Sequence, residues 1–241
     1  MLDWLRRPAG EDLSVEVNGN ALPLIIRRVA NARRMTLRLL PDGSAARISM
    51  PRWGRTAEAL AFARARSDWL AGQLVLRPPP QTIAPGGAIS YRGERLRIEH
   101  DAAWPRRPSL GQDTIRLGGA AESVAARLRR WLEGEARQLL ADDLVGYCVR
   151  AGVAAPQLML SNARRRWGSC SSRGIVRINW RLVMAPDPVR RSVVAHEVAH
   201  LVHFDHGPGF RTFLAELYEG DLRAVDAWLR REGPSLHAAF G

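Results

Sequence analysis

Hydrophobic and polar residues alternate along several short segments in the first third of the chain. Residues 13–17, 35–39 and 46–50 each show this period of two, which is typical of β-strands with one buried face. The sequence Pro-Asp-Gly-Ser at residues 41–44 separates the last two segments and favours a tight turn. Residues 13–50 therefore predict a small antiparallel meander that contains a hairpin.

Longer segments show the three-to-four-residue spacing of amphipathic helices. Residues 56–76 are rich in alanine and start at Thr56, a candidate N-cap, and residues 120–149 carry a continuous apolar stripe. Three consecutive prolines at positions 78–80 stop the first of these helices and predict a linker. Residues 83–118, which lie between the linker and the second helix, return to the pattern of strands.

The last third of the chain combines two strands with three helices. Residues 158–160 and 175–180 predict strands, and a polar loop at 164–174 separates them. A helix that begins at Pro186 and Pro188 continues to about residue 204. The sequence Gly-Pro-Gly at 207–209 breaks it, and two shorter helices follow.

The order of these elements predicts an α+β protein in two parts. Residues 1–118 form a β-rich N-terminal subdomain with one helix, and residues 119–241 form a second, larger core. The composition, with 46% hydrophobic and 25% charged residues, is that of a globular protein. No apolar run approaches the roughly 18 residues of a membrane span, and the first residues lack the apolar stretch of a signal peptide. We therefore expect a cytoplasmic protein without a membrane partner.

The charge is strongly basic, with a formal net charge of +12. Such a balance indicates a polyanionic partner such as nucleic acid. Every basic residue is arginine and none is lysine, which favours a second interpretation, a bias in the base composition of the genome. The arginines are spread along the chain, seven pairs among them, and the one triple is at residues 164–166. The sequence leaves both interpretations open.

The most specific signal is His196-Glu197-Val198-Ala199-His200. In a helix, positions i and i+4 lie on one face, so the two imidazoles can bind one metal ion. Glu197 lies beside them, where it can take a proton from a metal-bound water. Zinc suits such a site because it binds two or three imidazoles and keeps one position open.

Two histidines further along are candidates for the third ligand. His203 is seven residues from His196, about 10.5 Å along the same helix axis, which is too far for a zinc ion with ligand bonds of about 2.0–2.1 Å. His206 precedes Gly207-Pro208-Gly209, where the chain can bend back. The reach argument therefore favours His206, and Asp205 is expected either to orient an imidazole or to form the turn.

The sequence resembles the YgjP-like metallopeptidase family, which is related to the SprT-like and WLM zinc proteases. The matching segments are Arg166-Trp167-Gly168-Ser169-Cys170-Ser171, Ile178-Asn179-Trp180-Arg181-Leu182, Ala185-Pro186, His196-Glu197-Val198-Ala199-His200-Leu201 and His206-Gly207-Pro208-Gly209-Phe210. A weaker likeness extends the resemblance to about residues 30–230. The chain differs from the metzincins, which carry Gly in place of His203 and a Met-turn downstream, since Met184 precedes the motif here.

The resemblance implies a zincin-like core, with a small mixed sheet, an active-site helix and backing helices. It also implies a Zn²⁺ cofactor bound by His196, His200 and His206, with Glu197 as general base on a zinc-bound water and a peptide or protein as substrate. Arg166 is a candidate to stabilise an oxyanion or hold a phosphate. Asn179 is a candidate to bind a substrate backbone on an edge strand, and an equal alternative is that it only closes a hairpin.

Further residues near the motif have two interpretations. Trp167 and Cys170 are expected to be structural, although Cys170 is also a candidate to block the metal site. Tyr218 is either a hydrogen-bond donor to the transition state or a packing residue.

Two other functions stay open at this point. The same metal and arginines could cleave a phosphoanhydride, for example in a nucleoside triphosphate. Alternatively, the chain is a non-enzymatic module that binds nucleic acid through its arginines, with a structural zinc.

Overall fold

The computed structural model describes residues 13–40, 43–75 and 83–240, which form two compact units. The division falls between Pro79 and Pro80, within the prolines predicted to be a linker, and these prolines lie outside the described residues. The sequence predicted a boundary after residue 118 instead. In the structure, residues 83–118 belong to the second unit.

The first unit is a four-stranded sheet with two helices. Its elements are β1 (Ser14–Val17), β2 (Asn20–Val29), β3 (Thr36–Leu39), β4 (Ala46–Pro51), α1 (Thr56–Arg64) and α2 (Ser67–Val75). The strand order is β1-β2-β4-β3, and β2 pairs with β4 in parallel. The prediction of an antiparallel meander is therefore wrong, because alternation determines which side chains face inward but not which strand is the neighbour. Of the predicted 41–44 turn, Pro41 and Asp42 lie outside the described residues.

One face of this sheet is covered by the two helices. Val15, Ile48 and Met50 point to that side and pack in one cluster with Ala63 of α1 and Leu70 of α2. The predicted helix at 56–76 is two helices in the structure, with a break after residue 64. Its N-cap is Arg55 rather than Thr56.

The second unit contains two sheets and four helices. Its elements are β5 (Ala88–Tyr91), β6 (Glu94–His100), β7 (Ser109–Leu110), β8 (Thr114–Leu117), α3 (Val124–Ala151), β9 (Leu158–Ser161), β10 (Gly168–Cys170), β11 (Val176–Asn179), α4 (Asp187–Val202), α5 (Pro208–Leu217) and α6 (Leu222–Ala238). One sheet has the order β5-β6-β8-β7 and the other β10-β11-β9, and each combines parallel with antiparallel pairs. The α+β prediction is confirmed.

Helix α3 lies at the centre of the core of this unit. Leu128, Leu132, Ala136 and Leu140 form a stripe of fully buried side chains at helical spacing. Apolar residues of β5, β6 and β8 pack in the same cluster as this stripe and the residues of α4. This shared core explains why residues 83–118 belong with the helices rather than with the first sheet.

A network of ion pairs holds the start of α4 in place. The Arg190 side chain is 3% exposed, and its Nε donates a hydrogen bond of 2.7 Å to Asp143 of α3. Arg190 also pairs with Asp187, which accepts hydrogen bonds from Arg92 in the turn between β5 and β6. Charged groups that are buried with well-placed partners are costly to separate, so this network positions the helix that carries the metal motif.

Candidate metal centre

Helix α4 places the His196 and His200 side chains on one face, one turn apart. The helix begins after Pro186, and six of its ten buried residues are apolar, among them Val194 and Val198. The ring centroids of the two histidines are 4.9 Å apart. Both rings can therefore point to one ion, as the spacing in the sequence requires.

A third imidazole comes from the bend after α4. The helix ends at Val202, the following residue His203 has an extended backbone with φ of −126°, and α5 begins a few residues later. Nε2 of His206 lies 3.2 Å from Nε2 of His196, and the candidate ligand nitrogens of His196, His200 and His206 all lie within 4.8 Å of one another. Among the described residues, this is the one group of three or more His, Cys, Asp or Glu side chains close enough to hold a metal ion.

Two contacts fix the orientation of these rings. Nδ1 of His200 lies 3.1 Å from the backbone carbonyl oxygen of His203. Because a carbonyl only accepts, Nδ1 carries the proton and Nε2 keeps its lone pair for a metal ion. The buried ring of Phe210 lies against all three histidines, with centroid distances of 5.0 Å to His196, 4.6 Å to His200 and 4.8 Å to His206.

Two of the three histidines, His196 and His200, are held in the neutral form that binds metals. Burial is the largest of the effects that lower the pKa of His196 to about 4, and the neighbouring His200 and His206 contribute to this value. Burial also lowers the pKa of His200. A neutral imidazole has a free lone pair, whereas a protonated one has none. These two rings can therefore act as ligands at neutral pH.

Glu197 is a residue of α4 whose side chain faces strand β10, and it is 4% exposed. A Cβ atom added to Gly168 would lie 2.2 Å from Oε1 of this carboxylate, so the backbone of β10 approaches it directly. Burial raises the pKa of Glu197 to about 7, although the charge of Arg166 and a hydrogen bond from the Cys170 backbone oppose this rise. Its Oε2 atom is buried without a hydrogen-bond partner among the described residues.

The side chains of His203 and Asp205, the other two candidates in the bend, have partners other than the three imidazoles. The ring of His203 packs against Phe213, with centroids 5.6 Å apart, and its backbone carbonyl is the group that contacts His200. Oδ1 of Asp205 accepts a hydrogen bond of 3.3 Å from the backbone N–H of Gly207. Asp205 therefore forms the turn, one of its two expected roles.

Arg166 and Asn179 were the candidates for substrate binding. Arg166 is exposed, and its positive charge acts on Glu197. Asn179 is fully buried on β11, the central strand of its sheet, so the prediction of an edge-strand contact needs correction. Its Nδ2 donates to the Ala163 carbonyl and its Oδ1 accepts from the Arg181 backbone. The Oδ1 atom thus caps the 3-10 turn Trp180–Met184 that leads to α4, and the Nδ2 atom holds the loop at Ala163.

The remaining residues that the sequence singled out have structural contacts. Trp167 stacks on His237 of α6, with ring centroids 4.9 Å apart. The Tyr218 hydroxyl donates a hydrogen bond of 2.9 Å to the Pro188 carbonyl at the start of α4. Burial and the nearby Glu197 raise the pKa of Cys170 and keep it a neutral thiol, a poor metal ligand.

A pocket opens beside His196 and Glu197. Trp167 and Gly168 line one side of it, and Leu214 of α5 with Val225 and Leu229 of α6 line another. Apolar walls next to a small number of polar groups are typical of sites that bind organic ligands. The pocket therefore places an apolar surface directly next to His196, a candidate metal ligand, and Glu197, the candidate general base.

A family model for the YgjP-like metallopeptidase domain matches residues 33–232. The chain belongs to this family. Comparisons with curated proteins and with solved structures give no match. Metallopeptidases use a metal ion for hydrolysis, so membership of the YgjP-like family supports a hydrolase and implies a metal ion. None of the described helices of this YgjP-like protein is long and apolar enough to span a membrane.

Two residues contribute to the YgjP-like site in ways that the sequence does not predict, since it predicts only a turn for Gly168. Gly168 and Phe210 lie in segments that carry the family resemblance, yet their contacts depend on how β10 and α5 pack against α4. A glycine in a buried segment is a signal for close backbone approach. That signal could have identified Gly168, whereas nothing in the sequence distinguishes Phe210 from an ordinary core residue.

Proposed function

We propose that this protein is a zinc-dependent peptidase with a zincin-like core. The observation that carries the proposal is the convergence of three imidazoles, from His196, His200 and His206, beside the buried carboxylate of Glu197. In this proposal, residues 119–241 form the catalytic core. Family membership supports a hydrolase, and the donor set supports the choice of metal.

The donor set fits zinc. Tetrahedral zinc sites have Zn–N bonds of about 2.0–2.1 Å, which separates two ligand nitrogens by about 3.3 Å. The distance of 3.2 Å between Nε2 of His196 and Nε2 of His206 fits this value. A zinc ion bound there supplies a Lewis acid, which polarises a carbonyl group and makes a water more acidic.

Glu197 moves the proton in the proposed reaction. Its unpartnered Oε2 accepts a proton from the attacking water as the new C–O bond forms. When the C–N bond breaks, the same carboxyl group donates this proton to the leaving amine. A pKa of about 7 suits both steps, because the group then takes up and releases a proton at neutral pH.

Strand β10 and the apolar pocket are the proposed binding site for the substrate. Strand β10 lies at the edge of its sheet and next to Glu197, and an extended peptide can add to such an edge through its backbone. Leu214, Val225 and Leu229 can then contact a side chain close to the scissile bond. A short unfolded segment of a protein is therefore the proposed substrate.

The test compares zinc-loaded wild type with Glu197→Gln on a mixture of unstructured peptides. We expect wild-type cleavage, detected by mass spectrometry, and a loss of about 10²–10⁴-fold in the variant with its zinc content unchanged. Glu216→Gln, an exposed glutamate of α5, is the matched control and should cleave like wild type. Equal cleavage by wild type and Glu197→Gln would refute the proposed role of this carboxylate.

One observation favours a second candidate, hydrolysis of a phosphoanhydride. Arg166 lies close enough to Glu197 to influence its charge, and Arg164 and Arg165 are exposed beside it. Guanidinium groups bind phosphate oxygens well. Release of pyrophosphate or phosphate from nucleoside triphosphates by zinc-loaded protein, together with no cleavage of peptides, would favour this reaction over the first.

A further inference from the structure

The open face of the first unit carries arginines on three adjacent strands. In β2, β4 and β3, side chains alternate between the face covered by helices and the opposite face. Ile48 and its inward neighbours pack with the helices. Arg27, Arg47 and Arg38 are exposed on the other face. We call these three residues the arginine ladder.

The register of the sheet brings the ladder together. Arg38 lies directly opposite Arg47 in the antiparallel pair of β3 and β4, and Ile25 lies opposite Arg47 on the other side. Arg27 is paired with Ser49, so it is diagonal to Arg47 at about 7–8 Å. Two like charges directly opposite each other destabilise a sheet. The pair of Arg38 and Arg47 therefore does not serve the stability of this unit.

No acidic side chain neutralises the ladder in the part of the unit that the structure describes. Among residues 13–40 and 43–75 no arginine forms an ion pair, whereas the second unit contains several, including those of Arg116, Arg150 and Arg191. Glu16 is the acidic residue on the open face, opposite Ala21. Arg27 lies six positions after Ala21 along β2, or about 20 Å, and Ile25, which is paired with Arg47, lies four positions after it, or about 13 Å. Glu16 therefore lies beyond the end of the ladder.

Apolar groups accompany these charges. Ile25 is 42% exposed on the open face, and Trp53 is 79% exposed. An exposed tryptophan two residues beyond the end of β4, in the same unit as the unpaired arginines, suits bases that stack while the arginines suit phosphates that accept hydrogen bonds. An acidic protein segment would use the charge but has no equivalent use for a stacking surface.

We propose that the open face of the first unit binds single-stranded nucleic acid, with the arginine ladder on the phosphates and Trp53 stacked on a base. The binding goes beyond the peptidase activity and is independent of the metal centre. An open sheet with arginines and an aromatic side chain fits a splayed single strand, whose bases are free to stack. A duplex keeps its bases stacked inside and offers phosphates alone.

The test measures binding of a fluorescein-labelled 20-nucleotide single strand to the full chain by fluorescence anisotropy at several salt concentrations. Arg38→Ala with Arg47→Ala should weaken binding at least tenfold and make the slope of log K against log salt shallower by about 1.4, since two phosphate contacts are lost. Trp53→Ala should weaken binding with little change in the slope. Arg106→Ala with Arg107→Ala removes two exposed arginines from the second unit and should bind within about twofold of wild type.

The variants remain interpretable because the ladder does not support the fold. Removing the like-charged pair should leave the melting temperature equal or higher, so weaker binding cannot be attributed to unfolding. Glu197→Gln should bind the strand like wild type, which separates this proposal from the proposed peptidase. The proposal fails if wild type shows no binding at low salt, if the ladder variant binds as tightly as the Arg106/Arg107 control, or if a duplex or anionic vesicles bind more tightly than the single strand.

Discussion

Gly168 and Glu197 are in direct contact, with no room between them for a methyl group. A Cβ atom on Gly168 would lie 2.2 Å from Oε1 of Glu197 and 2.7 Å from its Cγ and Cδ. Cβ atoms do not approach other atoms within 3.0 Å, so only glycine is compatible with this arrangement. The contact fixes how closely the edge strand β10 packs on the metal-motif helix α4, and it buries the carboxylate that we propose as the general base.

Gly168→Ala should therefore displace Glu197 and impair catalysis. A displacement of about 1 Å at a catalytic group costs on the order of 10²-fold in rate, while the three histidines are untouched and the zinc content should stay at the wild-type level. Peptide cleavage and metal analysis on the same preparation measure both. The matched control is Gly146→Ala on α3, where an added Cβ meets no atom within 4 Å. It should retain full activity and gain roughly 0.5–1 kcal/mol of stability. A fully active Gly168→Ala would mean that Glu197 is not positioned by this contact.

Phe210 should influence zinc affinity although it cannot bind zinc. Its ring supports all three imidazoles, and a change in the residues that orient metal ligands typically weakens binding by about 10–100-fold. We expect a loss in this range for Phe210→Leu in competition with a chromophoric chelator. Phe213→Leu is the control, because Phe213 contacts the ring of His203. If Phe213→Leu weakens zinc binding more than Phe210→Leu does, the result would indicate that His203 belongs to the site.

The Asp187 network should make stability depend on pH on the acid side. Burial alone would raise the pKa of Asp187, but hydrogen bonds and charges from Arg92 and Arg190 outweigh it and lower the pKa. A lowered pKa in the folded state means that the stabilisation is complete above the unfolded pKa of about 4 and is lost as the pH falls through the folded value. Asp187→Asn should cost roughly 1–3 kcal/mol at pH 7, measured by urea unfolding.

The difference between wild type and Asp187→Asn should then shrink as the pH falls below about 4. Asp226→Asn is a useful comparison, since Asp226 forms an exposed pair with Arg230 on α6 and should change stability by less than about 1 kcal/mol at every pH. A difference for Asp187→Asn that stays constant down to the lowest pH would contradict the assigned ion pairs.

The local part of the metal centre could be predicted from the sequence. Helical spacing places His196 and His200 on one face, and the reach argument selects His206 over His203, in agreement with the position of the His206 ring. The convergence of the three rings follows from helix geometry, which is fixed by the backbone, and from Gly207-Pro208-Gly209, which restricts where the chain can bend.

The parts that depend on packing between distant segments could not be predicted. Strand β10 has three residues, Gly-Ser-Cys, with no alternation, so the sequence predicts a loop there, and its strand character comes from pairing with β11. Asn179 looked like an exposed polar residue on a strand, but the neighbouring strands on both sides bury it. The parallel pairing of β2 with β4 has no local signal either.

The central claim is that His196, His200 and His206 bind one zinc ion. Its most direct test is the metal content of purified wild type, His206→Ala and His203→Ala, determined by inductively coupled plasma mass spectrometry after incubation with zinc and removal of the excess. We expect about one zinc per chain in wild type and in His203→Ala, and little or none in His206→Ala. Full zinc content in His206→Ala, or no zinc uptake by wild type, would contradict the proposed site.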